Sequence, residues 1–266
     1  MARRREIARR RHLSDEALLV HIRAAYAENR GAYGWPRIWR QLRSQGIRVG
    51  KQRVQRLMQE HGIRARGKRR FRVMTTDSRH DLPIAPNLLN RNFTMSKPNQ
   101  AWAGDITYVA TEEGWLFLAV VIDLFSRRVV GWSMQPDMRR TLVIDALEMA
   151  WFRRSPGSKA GLIFHSDRGS QYASEDFNKV LKEHGITPSM SRKGNCWDNA
   201  CSETLFGSLK VERLHGQCFQ TIRQAKDETI AWLLWYNQSR MHSTLGYTSP
   251  MQFENDWMDA TGNIAA

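Results

Sequence analysis

The 266 residues are 41% hydrophobic, enough apolar material for real cores in two or three small domains. The formal net charge of +15 is confined to one end: residues 1–80 hold 22 Lys/Arg against 6 Asp/Glu, and the remainder holds 19 against 20. Cys196, Cys201 and Cys218 make no disulfide framework, their spacing with His184 or His215 fits no zinc motif, and the apolar run at 115–122 is too short to cross a bilayer. The expectation is therefore a soluble chain in a reducing, cytoplasmic compartment, with a polyanion docking on its basic first third.

Residues 1–62 read as a basic tail followed by three helices. Ser14 is a candidate N-cap, with Asp15 and Glu16 in the first turn. Leu18, Leu19, Ile22, Ala25 and Tyr26 then form one apolar face. Gly31 and Gly34 break the pattern, and Pro36 restarts it, with Ile38, Trp39 and Leu42 inward and Gly46 at the end. A third helix after Gly50 points Val54, Leu57 and Met58 inward and leaves Lys51, Gln52, Arg53, Gln55 and Arg56 outside. Two short helices joined by a tight turn, the second basic outside, predict a helix-turn-helix. Lys51 and the glutamines would reach base edges, and Arg53 and Arg56 would hold phosphates. The alternative is a helical domain whose charges only face water.

Residues 63–98 read as a linker. Its basic cluster, Arg64, Arg66, Lys68, Arg69, Arg70 and Arg72, is expected to follow a phosphate backbone, and Pro83, Pro86 and Pro98 mark the remainder.

From residue 99 the character changes. Segments 102–111, 115–123 and 129–135 are rich in β-branched and aromatic residues and predict an antiparallel meander. A helix at 141–154, a strand at 161–165, a helix at 174–184, a strand at 187–190 and a helix at 198–214 follow. Together they predict an α/β domain over residues 99–215, a mixed sheet flanked by helices. A helix at 221–235 opens a helical tail, residues 216–266, packing on that core.

Three acids stand out. Asp105 lies inside an otherwise apolar strand, a costly place for a charge without a partner or a metal. Asp167 follows a short strand, where acids commonly face a cleft. Glu203 lies on the helix after residue 198; on a regular helix Lys210 sits about 20° from it around the axis and about 10 Å further along, with Asn199 on the same face. Three carboxylates suit a pair of magnesium ions about 4 Å apart, a general arrangement for phosphodiester chemistry. Without metal, their repulsion raises at least one pKa. Asp123 and Glu148 are competing acids, the first also placed to cap a turn; Asp198 reads as a helix N-cap. His165 either positions a nucleophile or phosphate or supports its turn. The candidate DNA contacts are then Lys51, Gln52, Arg53, Gln55, Arg56, Arg69, Arg70, His165, Asn199 and Lys210.

The stretches Trp102-Ala-Gly-Asp-Ile-Thr-Tyr108, His165-Ser-Asp-Arg-Gly-Ser-Gln-Tyr172 and Ser191-Arg-Lys-Gly-Asn-Cys-Trp-Asp-Asn-Ala200 running into Glu203 resemble the bacterial insertion-sequence transposases related to retroviral integrases. So does the tail, Tyr236-Asn-Gln-Ser-Arg240 with His242-Ser243 and Leu245-Gly-Tyr247. The resemblance covers most of residues 85–255. It implies a ribonuclease-H-like fold with Asp105, Asp167 and Glu203 as catalytic ligands of two Mg2+ ions, Mn2+ substituting. It implies cleavage at transposon ends to free a 3′-hydroxyl, then strand transfer by that hydroxyl, first joining the two ends into a circle. Lys210 matches the family's downstream lysine. The implied partners are the terminal inverted repeats, target DNA, further copies of the chain on DNA, and an upstream-frame DNA-binding protein, fused by frameshift in some members. The implied setting is the bacterial cytoplasm, at the nucleoid when DNA is bound. Ala103 and Gly104 depart from the larger residues usual before the first acid and are expected to loosen packing there. In the tail, Trp232, Trp235, Tyr236 and Tyr247 are expected on the core, with Arg240 and His242 reaching DNA or a second protomer. A DNA-binding regulator with an inactive core, and a nuclease without joining activity, are the alternative readings.

Overall fold

The computed structural model describes residues 13–67, 82–157, 160–192 and 196–262. Arg69 and Arg70, with Lys68 and Arg72, lie outside the described residues. The chain divides into two compact units, residues 1–68 and 69–266. Among the described residues no helix is long and apolar enough to cross a membrane.

The first unit holds α1 (Asp15–Glu28), α2 (Trp35–Ser44) and α3 (Lys51–Glu60). Ser14 caps α1, its hydroxyl accepting from the Ala17 N–H at 3.2 Å. Leu18, Ile22, Ile38, Leu42 and Val54 close the core between the three helices. The expected linker start belongs here: the Tyr26 hydroxyl donates to the Arg64 carbonyl at 2.7 Å, and the Arg66 N–H donates to Gly31 at 3.1 Å.

The second unit is built on five strands: β1 (Ala101–Thr111), β2 (Gly114–Asp123), β3 (Val129–Gln135), β4 (Ile163–Ser166) and β5 (Thr187–Met190), in the order β3-β2-β1-β4-β5. β1, β2 and β3 form the antiparallel meander; β4 and β5 join in parallel beyond β1. Helices cover both faces, which is why Leu116 to Ile122 of β2 reads as a nearly unbroken apolar run. On one face α4 (Arg140–Arg154), the single turn α5 (Ser170–Ala173) and α6 (Glu175–Glu183) pack on Trp102, Ile106, Val121 and Phe164. On the other, α7 (Ala200–Leu209) and α8 (Ile222–Gln238) pack on Val109, Leu118, Val120 and Ile122. A last helix, α9 (Pro250–Thr261), was not expected from the sequence.

Helix and sheet meet closely at Gly131 of β3. A Cβ there would lie 2.2 Å from the Ala146 carbonyl oxygen and 2.7 Å from the Ala150 nitrogen, both backbone atoms of α4. Neither can turn aside, so Gly131→Ala must push α4 off the sheet. The expected cost is about 2–3 kcal/mol, read as an earlier urea transition of the second unit.

Residues 82–98, expected to be linker, pack on this unit instead. Leu89 is buried against Ala101 and Leu124, the Leu88 N–H donates to Ser189 Oγ at 2.9 Å, and Asn87 and Arg91 reach Asp198.

Candidate active site

β4 pairs with β1 only from Ala101 to Ala103, with Ala103 opposite His165. Past that point the strands part, and the same register continued by two residues brings Asp105 level with Asp167. Both acids thus stand where two parallel strands diverge, the position at which open α/β sheets form their crevices. Asp105 stays on β1, its Oδ1 accepting from the Ile106 N–H at 2.8 Å. Asp167 turns out of β4, its Oδ1 accepting from the Gly169 N–H at 2.9 Å; a Cβ on Gly169 would come within 3.0 Å of that oxygen. The third acid, Glu203, is exposed on α7, which covers the face of β1 on which Asp105 lies.

Electrostatics ties the group together. Desolvation and then the charge of Asp167 hold the Asp105 carboxyl well above its ordinary range; Glu203 adds to this, while the Ile106 N–H and Lys210 oppose it. Desolvation also raises Glu203, although its side chain reaches the surface. Burial lowers Lys210, and Asp105 works against that; its ammonium lies 5.1 Å from the ring centre of Tyr108. Sequence reasoning assigned no role to Tyr172. Its buried ring fills the space over Gly104, and desolvation, with Asp105 and Asp167, raises its hydroxyl well above the ordinary value.

Gly104 does not loosen the packing. A Cβ there would meet the Phe164 ring at 2.4 Å and Tyr172 at 3.2 Å, so the two rings occupy the volume of the larger residue expected.

A raised Asp105 pKa has a definite consequence for stability. The folded chain holds this proton more tightly than the unfolded chain, so stability falls as pH rises from the ordinary Asp range through the folded-state value. Asp105→Asn, metal-free, should therefore melt at a higher temperature than the parent at neutral pH. The two should converge near about pH 4, where the parent carboxyl is protonated. Calorimetry across that range would check it; an Asn variant less stable at neutral pH would refute it.

The donors are hard oxygens in an under-compensated anionic field, which fits a hard divalent cation in kind. Among the described residues, no three His, Cys, Asp or Glu side chains converge closely enough to hold one ion together. Asp105 and Asp167 are the adjacent pair, and Glu203 acts on Asp105 through space.

Several expected contacts prove to be structural. His165 is 1% exposed, with Nδ1 2.9 Å from Ser189 Oγ and Nε2 3.0 Å from the Asp198 carbonyl. A carbonyl only accepts, so Nε2 carries the proton, and the ring supports its turn without facing DNA. Asp198 does not cap α7. It is buried and accepts from Arg192 N–H, Nε and Nη2, from Arg91 and from Asn87, and the Arg192 bonds, larger than the opposing effect of burial, bring its pKa far down. Asn199 precedes α7 and is buried, its Oδ1 without a hydrogen bond among the described residues. Asp123 does cap its turn, accepting from Asn99 N–H and Phe125 N–H, and Glu148 pairs with His184 at 3.2 Å.

In the first unit, Arg53 and Arg56 both pair with Asp15. Arg53 Nε donates to Asp15 Oδ1 at 2.7 Å and Arg56 Nη2 to Asp15 Oδ2 at 2.6 Å, tying α3 to the start of α1. Lys51 and Gln52 are exposed and Gln55 half-exposed on the outer side of α3. Arg240 is buried against Glu212 and is no surface contact.

This architecture has relatives. An HTH-like domain matches residues 13–71, and integrase core domains match residues 95–196 and 184–250. The catalytic core domain of BIV integrase is 18% identical over 62% of this chain and 99% of its own, with a TM-score of 0.46. The HTLV-2 integrase core solved in complex with magnesium is 20% identical over 60% of this chain and 98% of its own, with a TM-score of 0.44. An integrase core behind an HTH-like domain defines the class, a polynucleotidyl transferase of the DDE type. The transposase InsF of insertion sequence IS3A from Escherichia coli K12 is 46% identical over 88% of this chain and 81% of its own length. A 31 kDa protein of insertion element IS600 from Shigella sonnei is 44% identical over 93% and 90%. The chain belongs to the IS3 family of insertion-sequence transposases.

Proposed function

We propose that this transposase cleaves at the ends of its element to free a 3′-hydroxyl and then uses that hydroxyl to attack a second phosphodiester, joining first the two ends to each other. In each step one P–O bond forms as another breaks, so a single site serves both. The observation that carries the reading is the shared field of Asp105, Asp167, Glu203 and Lys210, which come from β1, the end of β4, and α7 with the turn after it. Asp105, Asp167 and Glu203 would hold two magnesium ions, or manganese in their place; bound there, the ions would activate the attacking oxygen and stabilise the leaving one. Glu203, set apart on the surface of α7, would close on the pair when DNA supplies its phosphate oxygens. Lys210 offers a cation to the non-bridging oxygens of the backbone. Lys51, Gln52 and Gln55 would read the terminal repeats from α3, with copies of the chain pairing two ends and an upstream-frame protein contributing further DNA binding.

The test is a labelled element end incubated with the full chain and Mg2+ or Mn2+. A nicked end with a 3′-hydroxyl and a joined product are expected. Binding without cleavage would make the chain a regulator; cleavage without a joined product would make it a nuclease.

A further inference from the structure

The helix carrying Glu203 does not continue as an α-helix to Lys210. It passes into a π-turn, Lys210–Leu214, closed by the His215 N–H donating to the Lys210 carbonyl at 2.7 Å. Such turns are rare, and they persist where neighbouring groups hold them. Here two successive charged side chains of the turn are buried, Glu212 and Arg213. Both find their partners on α8 or just after it. Arg240 forks the Glu212 carboxylate, Nε donating to Oε2 at 2.8 Å and Nη2 to Oε1 at 2.7 Å. Trp232 Nε1 donates to the same carboxylate at 3.2 Å, and Arg240 Nη2 also reaches Ser208 Oγ, in the last turn of α7, at 3.1 Å. Arg213 Nη1 donates to Glu228 at 3.1 Å. Two ion pairs of opposite polarity thus fix the turn to α8. The first residue of that turn, Lys210, lies with its ammonium over the Tyr108 ring, three residues along β1 from Asp105.

We propose that the Arg240–Glu212 pair is a positioning device: it locks the π-turn, and the turn aims Lys210 at the Asp105 side of the cleft. A bidentate pair suits this task because its planar fork fixes an orientation as well as a distance. The buried pair would then act in the reaction through Lys210, without touching DNA itself. This rests on the role given to Lys210 in the proposed reaction.

Glu212→Gln removes the charge while keeping the shape; Arg240→Lys is the milder second variant, keeping the charge but losing the fork. Both are assayed as full chains, below their measured melting temperatures. The first readout is labelling of Lys210 by an amine-reactive acylating reagent, followed by peptide mass spectrometry, with exposed Lys182 as reference. Labelling of Lys210 relative to Lys182 should change several-fold in either folded variant; an unchanged ratio overturns the proposal. The second readout is joining. The variants should lower kcat by about 10- to 100-fold and move KM for end DNA by less than about threefold. In a Lys210→Ala background the same changes should cost less than about threefold more, because interacting sites are not additive. Equal losses in both backgrounds would mean that the pair serves only the fold, and would overturn the proposal. If Lys210→Ala alone left joining intact, the role of Lys210 in the reaction would fall, and the labelling ratio would still decide whether the pair positions it.

Discussion

Asp167→Asn is expected to abolish end cleavage and joining together, a loss of about 10³-fold or more, while the protein still binds element ends. The substitution keeps the side chain's shape, and its remaining carbonyl oxygen can still accept from the Gly169 N–H, so the turn out of β4 survives. What disappears is one negative charge beside Asp105. That charge is the largest contribution of any neighbouring side chain to the raised Asp105 pKa. Losing it weakens the field any divalent cation would need, and with it the shared site of both steps. The competing acids cannot substitute. Asp123 is sealed in the interior by Asn99, Phe125 and Arg154, and Glu148 is paired with His184 on α4. With end recognition proposed to rest on α3 of the first unit, a mobility-shift assay should move by less than about threefold, a range within which no phosphate or base contact has been lost. The measurement is single-turnover cleavage and joining with saturating Mg2+. Turnover within about tenfold of the parent would mean that Asp167 is not part of the reacting centre.

Periodicity made most of the architecture legible. The three strands of the meander end within a residue or so of where alternation and turn residues place them, because both faces of β2 are buried and its apolar run is bounded by Gly114 and Asp123. The local contexts of Asp105, Asp167 and Glu203 were also visible. What stayed hidden depended on polar partners far away in sequence. Arg53 and Arg56 look free on a helical wheel, but their partner Asp15 lies 38 and 41 residues earlier. The helix after residue 198 looked continuous to 214, because the π-turn inside it is held by Arg240, 28 residues beyond Glu212. His165 read as a possible phosphate contact since a polar strand residue gives no sign that Ser189 and a backbone carbonyl will enclose it. Helix α9 was missed for a related reason. Its start signal is present, Ser249 as N-cap and Pro250 as the first residue, but its principal buried side chain is a glutamate, so no apolar stripe announces it.

That glutamate supports the last expected result: Glu254→Gln should destabilise the second unit by about 3–5 kcal/mol, the usual cost of removing one member of a buried charge pair. Glu254 is fully buried and accepts from Ser126 Oγ at 2.7 Å, Arg128 Nη1 at 2.7 Å, and Arg154 Nη1 and Nη2 at 2.9 and 3.0 Å. Arg154 also donates to Asp123 Oδ2 at 3.2 Å and Asn99 Oδ1 at 2.9 Å. One cluster therefore joins the end of α4, the β2–β3 turn, the entry to β1 and α9. Without the Glu254 charge, Arg154 is left with Asp123 and Arg128 loses its Glu254 carboxylate. The pH dependence separates the two acids. Burial acts to raise Glu254, but Arg154, Ser126 and Arg128 outweigh it and leave its pKa below the ordinary Glu value of 4.5. Its stabilising contribution is therefore complete above that value and is lost only as pH falls through the lower folded-state pKa. Asp123 is shifted the other way, burial exceeding the help of Arg154, so its ionisation opposes folding as pH rises through its raised value. Urea unfolding of parent and variant across acid and neutral pH should show a wide gap at neutral pH that narrows toward the acid end, where the parent's Glu254 is protonated too. A neutral-pH gap under about 1 kcal/mol would place the pair in the range of exposed ion pairs, and α9 would then be held by Phe253 and Trp257 against Phe125 instead.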